Sequence, residues 1–319
     1  MATFDVSVIG ELNLDLILSG LPAQLDFERE HLASDLSITL GSSSAIFAHN
    51  LASLGSNVGF SSSIGSDPLG AICLQRLGES GVDLAGVRRM PGKTTGLTVI
   101  LPQGKQRYIL TYPGTMFEMS EKDLDLHYVF RAKHLHLSSY FLQKGLQPSL
   151  AEIFRKAKAA GLTTSLDTND DPEDRWSSEV HELFGHTDVL LPNEREACKL
   201  AKVEDTEQAA DILSRKVPAV VIKRGARGVL ARVSNARFEA MPPKVNAVDH
   251  VGAGDSFDAG FIHQFLRGAK MEDCLAYGNT VAALSVTRPG GTEAFRDAAY
   301  RETFLRAHAL RPETSARPQ

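Results

Sequence analysis

Apolar positions along the chain recur with two different periods, and the switches between them mark out the elements. Val6, Val8 and Ile9 form a short apolar run closed by Gly10, which predicts a buried strand that delivers a loop at its end. From Ser42 to Leu54 the period becomes helical: serines stand at the start, Ile46, Phe47, Leu51 and Leu54 follow, and Gly55 can stop the helix. A strand is expected over Val58–Ile64 and a helix over Pro68–Leu77. Between Thr94 and Tyr112, Leu97, Val99 and Leu101 alternate with their neighbours, and a Pro102–Gly104 turn leads into Tyr108, Ile109 and Leu110, which reads as a hairpin. Leu12–Leu40 also holds β-compatible pieces, so the two segments are expected to form a small sheet of their own.

The second half returns to strand–helix alternation. Strands are expected near Leu135–Leu137, Thr163–Leu166, Val189–Leu191 and Ala219–Ile222, with helices over Pro148–Ala160, Val180–Phe184 and Glu194–Leu200 between them. A hairpin across Gly228–Glu239 and two long helices beginning near Asp255 and Met271 complete the pattern, and Arg311–Gln319 is expected to be a polar tail. Repeated βαβ units predict an α/β fold with a mainly parallel sheet covered on both faces.

Composition narrows the function. The 319 residues carry a net charge of −5, which disfavours a nucleic-acid binder acting through overall charge. Cys73, Cys198 and Cys274 are far apart without zinc spacing, as expected of inert thiols. Met1–Gly10 lacks a basic start and carries Asp5, and no apolar segment approaches the ~20 residues of a membrane span, so a cytoplasmic protein without a membrane partner is expected.

The sharpest local signal is Asp249-His250-Val251-Gly252-Ala253-Gly254-Asp255, leading into a helix with Phe257, Phe261, Ile262 and Phe265. Gly252, Ala253 and Gly254 have almost no side chain, so backbone N–H groups can approach an anion where the helix adds partial positive charge. Asp255 at its lip would repel a phosphate but could accept a proton from an attacking hydroxyl; as a bare sequence it could equally cap the helix. Two commoner phosphate motifs fail: Gly86 is one residue too far from Gly92-Lys93-Thr94 for G-x-x-x-x-G-K-S/T, and Gly260 lies too far beyond Gly254 for G-x-G-x-x-G.

With these residues the chain resembles the ribokinase-like, or PfkB-type, carbohydrate kinase family, nearly end to end. The C-terminal signature stands as Asp249 to Asp255, and the opening G-x-x-x-x-D as Gly10 to Asp15. Gly41-Ser42-Ser43-Ser44-Ala45 leads to Ala52-Ser53-Leu54-Gly55, with Gly65-Ser66-Asp67-Pro68-Leu69-Gly70 beyond. Pro192-Asn193-Glu194-Arg195-Glu196 is similar to the N-x-x-E motif, and Lys223 to Gly228 to the nucleotide-side loop.

The resemblance implies a three-layer ribokinase-like domain over residues 1–310, lid segments at about 11–40 and 92–116, and phosphoryl transfer from ATP to a hydroxymethyl group of a sugar-like molecule. Asp255 would be the base, and Gly252, Ala253 and Gly254 the anion hole. Asn193 and Glu196 would organise magnesium, while Lys223, Gly225, Gly228 and Asn279 would line the nucleotide. Asn13, Asp15, Gly41 and Ser42 would meet the substrate; Arg107, Tyr108 and Tyr112 are candidates to reach it from the hairpin, with exposed strand residues as the alternative reading. Asp249 and Val251, with carbonyls from Arg288 to Glu293, match the positions of a potassium site. An exposed lid strand offers an edge for a homodimer.

The match departs at the substrate loop. Ser42 stands where the family has a second glycine, and Ile46 where it has a sugar-binding asparagine; Asn50 lies one turn later. An apolar side chain in place of a polar contact changes which substrate fits. A deoxy or keto sugar or a nucleoside is then in play, with Ile46 and Phe47 as a slot for a base, and so is a noncatalytic sensor that kept the fold.

Overall fold

The computed structural model describes residues 2–308 apart from 23, 104, 105 and 235. The expected turn at Gly104 and the tail from Arg311 fall outside the described residues. In chain order the strands are β1 (Phe4–Ile9), β2 (Asn13–Ser19), β3 (Asp35–Leu40), β4 (Val58–Gly65), β5 (Asp83–Met90), β6 (Gly96–Gln103), β7 (Gln106–Tyr112), β8 (Ala132–Ser138), β9 (Thr163–Asp167), β10 (Val189–Leu190), β11 (Ala219–Lys223), β12 (Val229–Val233) and β13 (Ala236–Ala240). The helices are α1 (Ser43–Ser53), α2 (Pro68–Glu79), α3 (Leu126–Val129), α4 (Gln147–Ala159), α5 (Val180–Phe184), α6 (Glu194–Ala201), α7 (Thr206–Leu213), α8 (Ala253–Phe265), α9 (Met271–Ser285), α10 (Glu293–Arg296) and α11 (Ala298–Ala307).

A 9-stranded sheet runs in the order β13-β12-β11-β10-β9-β8-β1-β4-β5, parallel from β11 to β5, with β12 and β13 added antiparallel. Both faces are covered, and alternation along each strand divides the core. Leu135, Leu137, Phe154, Leu183 and Ala209 pack on one side with α4, α5 and α7, while Val6, Val8, Phe47, Phe261 and Leu275 pack on the other with α1, α8 and α9.

The second of these faces carries a buried polar seam. His134 and His136, which alternate with leucines on β8, join Thr163, Ser165 and Ser138 in one chain of hydrogen bonds of 2.7–2.8 Å. Every imidazole nitrogen is thereby satisfied, and burial keeps both rings neutral, with His134 pushed down to about 3. Phe47 stacks on His136 at 3.7 Å between ring centres.

A separate 4-stranded sheet, β3-β2-β6-β7, lies within the two predicted lid segments. Its register sets side chains in rows: Asp15, Thr98 and Thr111 form one, and Ile17, Ile100 and Ile109 the next, all on one face. The opposite face carries Leu16, Val99 and Leu110, then Leu18, Leu101 and Tyr108.

Elements without a clear period escaped the sequence pattern. β5 is a half-exposed edge strand bearing Arg88 and Arg89 at adjacent positions, so it shows no alternation. The short α7, capped by Asp205, and α11, capped by Asp297, also lie outside the elements that the pattern predicts.

Candidate active site

Parallel strands place their C-terminal ends along one edge of the sheet, where a crevice gathers the loops that follow β1, β8, β9, β10 and β11. The small sheet closes this edge from one side and the start of α8 from the other. The result is a cleft of about 490 Å³, within the size range of small-ligand sites. Its lining includes Asn13, Asp15, Ser42, Ile46 and Arg107, the anion loop with Asp255, and Asn193, Glu196, Lys223, Gly225, Gly228 and Asn279.

The loop at α8 owes its shape to residue size. Gly252 caps the helix with φ 68°, and a Cβ on it would stand 2.7 Å from the Gly291 Cα, so this position requires glycine. Asp249 ties the approach down, accepting from Val251 N–H at 3.1 Å and from Gly290 N–H at 2.8 Å. Asp249 is thus held against Gly290 through its oxygens on backbone donors, while Val251 packs with Ile17 and Ile100 of the small sheet. Asp255 sits in the first helical turn and is buried; desolvation first, then the Asp167 carboxylate, push it up to about 7, opposed by Lys223 and the Ser43 hydroxyl.

The lid side presents polar groups over apolar ones. Asp15 is also pushed up to about 7, mainly by burial and then by Asp255, with Arg107 opposing. Asn13 donates through Nδ2 to Leu14 O at 3.2 Å, while its buried Oδ1 has no hydrogen-bond partner among the described residues. Asn13 itself lines the cleft, so this unpaired acceptor belongs to a residue at the cleft wall. Gly41 lets these side chains close up, since a Cβ there would collide with the Asp15 carboxylate and come within 2.9 Å of Asn13 Nδ2. Arg107, Ile109 and Thr111 line the cleft, whereas Tyr108 and Tyr112, one step out of phase on β7, are exposed on the outer face.

Ser42 adopts φ 63° at the place where the family resemblance supplies glycine. Its hydroxyl accepts from Ala45 N–H at 3.0 Å and donates to Glu11 O at 2.7 Å, offsetting the cost of a left-handed serine. Ile46 is buried against the anion loop, with Gly252 and Gly291 leaving space for its branches. Asn50 is committed elsewhere, donating to Ser256 Oγ and Gly291 O at 3.0 Å each. Phe47 belongs to the core beneath and is closed off from the cleft, so it supplies no slot for a base.

Beyond the start of α8, Asn193 and Glu196 form a reciprocal cap of α6: Asn193 N–H donates to Glu196 Oε2 at 2.8 Å and Glu196 N–H to Asn193 Oδ1 at 3.0 Å. Burial, and then Asp167, push the Glu196 carboxyl up to about 8. A buried carboxylate among like charges is the donor chemistry that a magnesium ion with its waters would relieve, so these residues fit the metal. Gly225 and Gly228 hold a tight turn, with φ 57° and 78°, and Asn279 Nδ2 donates to Ala240 O at 3.0 Å beside it. The Lys223 stem lines the cleft, but its ammonium turns into the protein, 2.6 Å from Asp167 and 2.9 Å from Asp258.

Glu11 and Asp258, together with Asp167, carry much of the site's electrostatics, and the sequence reading singles out neither Glu11 nor Asp258. The buried Glu11 carboxylate accepts from Ser44 Oγ at 2.9 Å, Ser139 Oγ at 2.9 Å and Gln143 Nε2 at 2.6 Å, linking β1, α1 and β8. A signal was present, since Glu11 is a lone charge between Gly10 and an apolar strand, and Asp258 lies one helical turn after Asp255.

Comparison with known proteins gives the family and the fold. The model of the pfkB family carbohydrate kinases matches residues 3–298. An ATP-dependent ribose-1-phosphate kinase of Halopiger xanaduensis is 31% identical over 255 residues, covering 80% of this chain and 82% of the relative. A cytidine kinase of Thermococcus kodakarensis is 30% identical, covering 75% of this chain and 84% of the relative. Among solved structures, Arabidopsis thaliana ribokinase complexed with ribose and ATP superposes with a TM-score of 0.82 at 25% identity, covering 98% of this chain and 100% of that one. With a family model matched over nearly the whole chain and a relative above 30% identity over most of both lengths, the chain belongs to the pfkB carbohydrate kinase family.

Proposed function

We propose that the protein is an ATP-dependent kinase that phosphorylates a hydroxymethyl group of a sugar or sugar-like molecule. The observation that carries this reading is the placement of Asp255 and the Gly252–Gly254 loop in one cleft, across from Asn13, Asp15 and Arg107. The substrate hydroxyl gives its proton to an Asp255 carboxylate oxygen while its own oxygen bonds to the γ-phosphorus; the bond from that phosphorus to the bridging oxygen breaks, and ADP leaves. The N–H groups of Gly252, Ala253 and Gly254 hold the charge that develops on the transferred group. Asn13 Oδ1 and the Asp15 carboxylate accept from substrate hydroxyls, and Arg107 reaches down from the lid, which excludes water.

Glu196, with Asn193, would hold magnesium through waters, and the bound ion would screen the phosphate charge. Gly225, Gly228 and Asn279 line the nucleotide. Potassium is assigned to the Asp249–Val251 and 288–293 loops, supported by the tie from Asp249 to Gly290. A homodimer through the outer lid face is supported by the exposure of Leu36, Tyr108, Leu110 and Tyr112 on it, and the cytoplasm is the compartment proposed.

A nucleoside is the second reading. Ile46, Ile100, Ile109, Met116 and Leu142 give the cleft an apolar wall, a surface that favours a base or a deoxy position over a further hydroxyl. ADP release with magnesium and potassium across sugars, deoxy and keto sugar acids and nucleosides tests both. Turnover of one class assigns the substrate. ATP and sugar binding without ADP release from any of them would instead favour a noncatalytic sensor.

A further inference from the structure

Buried carboxylate oxygens of Asp167, Asp255 and Asp258 lie within 4.8 Å of one another. Like charges this close in a low-dielectric site cannot all ionise unless a cation joins them. Lys223 supplies that cation: its Nζ is 2.6 Å from Asp167 Oδ2 and 3.2 and 2.9 Å from the two Asp258 oxygens, with the side chain 11% exposed. The ammonium also lies under the anion loop, since a methyl group on Gly254 would stand 3.5 Å from it. Its own backbone N–H donates to Pro192 O at 2.9 Å, so one residue joins β9, β11, α8 and the turn that carries Asn193.

We infer that Lys223 is a positioning residue for phosphoryl transfer, an internal cation clamped by Asp167 and Asp258 that keeps Asp255 able to carry the base's negative charge and holds positive potential beneath Gly254. The inference rests on Asp255 being the base. It separates Lys223 from a lysine that grips nucleotide phosphates, because its donors are already spent on two carboxylates. The groups facing Asp255 are acidic on every other side: Asp258 from α8 itself, Asp167 from β9, Glu11 from the end of β1 and Asp15 from the lid, with Glu196 beyond Asp167. Arg107 answers Asp15, and Lys223 answers Asp255.

The test is the pH profile of kcat/KM and the separate values of kcat and KM for ATP. Lys223→Met should move the acidic limb upward by about one pH unit or more and lower kcat at pH 7 at least about tenfold, with KM for ATP changed less than about threefold. Lys223→Arg, which keeps the charge, should leave the limb close to that of the wild type. Because a lone uncompensated charge can prevent folding, the pair Lys223→Met/Asp258→Asn is compared with Asp258→Asn alone, and its limb should lie higher. An unmoved limb in both comparisons, or a raised KM for ATP at unchanged kcat, overturns the inference. Absence of ADP release by the wild type would instead refute the kinase reading and leave the clamp's geometry untouched.

Discussion

Replacing Asp255 by asparagine should stabilise the folded protein while disabling it. Burial and neighbouring carboxylates raise the Asp255 carboxyl from its ordinary 3.8 to about 7, so between those values the folded chain binds a proton that the unfolded chain has released. Stability is therefore lost as pH rises through this window, and the penalty is complete above about 7. At ~1.4 kcal/mol per tenfold change in proton affinity, the penalty approaches about 4 kcal/mol at pH 8 and less than half of that at pH 5. Asparagine is nearly isosteric, keeps an oxygen for the Ser43 hydroxyl and carries no charge, so it removes the penalty. For a chain of this length about 1–2 °C per kcal/mol is expected, which puts the rise in Tm at roughly 4–8 °C at pH 8, shrinking towards pH 5. Differential scanning calorimetry of both proteins at the two pH values measures it. An unchanged or lowered Tm at pH 8, or a gain that grows towards acid, would refute the reasoning.

Other consequences follow from single contacts. Ser42→Ala keeps the left-handed backbone but loses the cap to Ala45, and urea denaturation should show a loss of about 1–2 kcal/mol, with Ser42→Gly losing less because glycine relieves the φ of 63°. Gly41→Ala should push Asp15 and Asn13 aside and lower kcat/KM at least about tenfold, chiefly through KM for the acceptor, with KM for ATP little changed. His136→Leu strips partners from Ser138 and Ser165 in the buried seam, and denaturation should show a loss of about 2–4 kcal/mol. As the proposed base Asp255 acts ionised, and both it and Asp15 are raised to about 7, so kcat/KM should fall as pH drops below about 7, with a slope steeper than one if both must be charged.

Legibility in the sequence followed locality. Helix α1 and the hairpin of β6 and β7 declare themselves within short stretches of chain through period, cap and turn chemistry, and the anion loop does so through three small residues before an acidic helix start. The clamp does not, because Lys223 meets Asp167 across 56 positions and Asp258 across 35, and only the strand order β11-β10-β9 with α8 above brings them together. Lys223 read alone as a charge ending an apolar strand, near a nucleotide; its ammonium is enclosed because α8 covers that strand end. The histidines on β8 follow the same logic, since polar alternation on a strand usually means one solvated face, whereas helices here cover both. Phe47, expected with Ile46 as a slot for a base, lies in the core for the same reason: helical spacing gives a face, and which face meets the cleft depends on the sheet beneath.

The central claim is that Asp255 takes the proton from the substrate hydroxyl as phosphoryl transfer occurs. Its most direct test is a rapid-quench measurement of transfer from γ-labelled ATP to the substrate identified by ADP release, in a single turnover, for wild type and Asp255→Asn. The account predicts a transfer step slower by at least about 10²-fold in the variant, with ATP affinity retained. A variant whose transfer step stays within about threefold of wild type would contradict it.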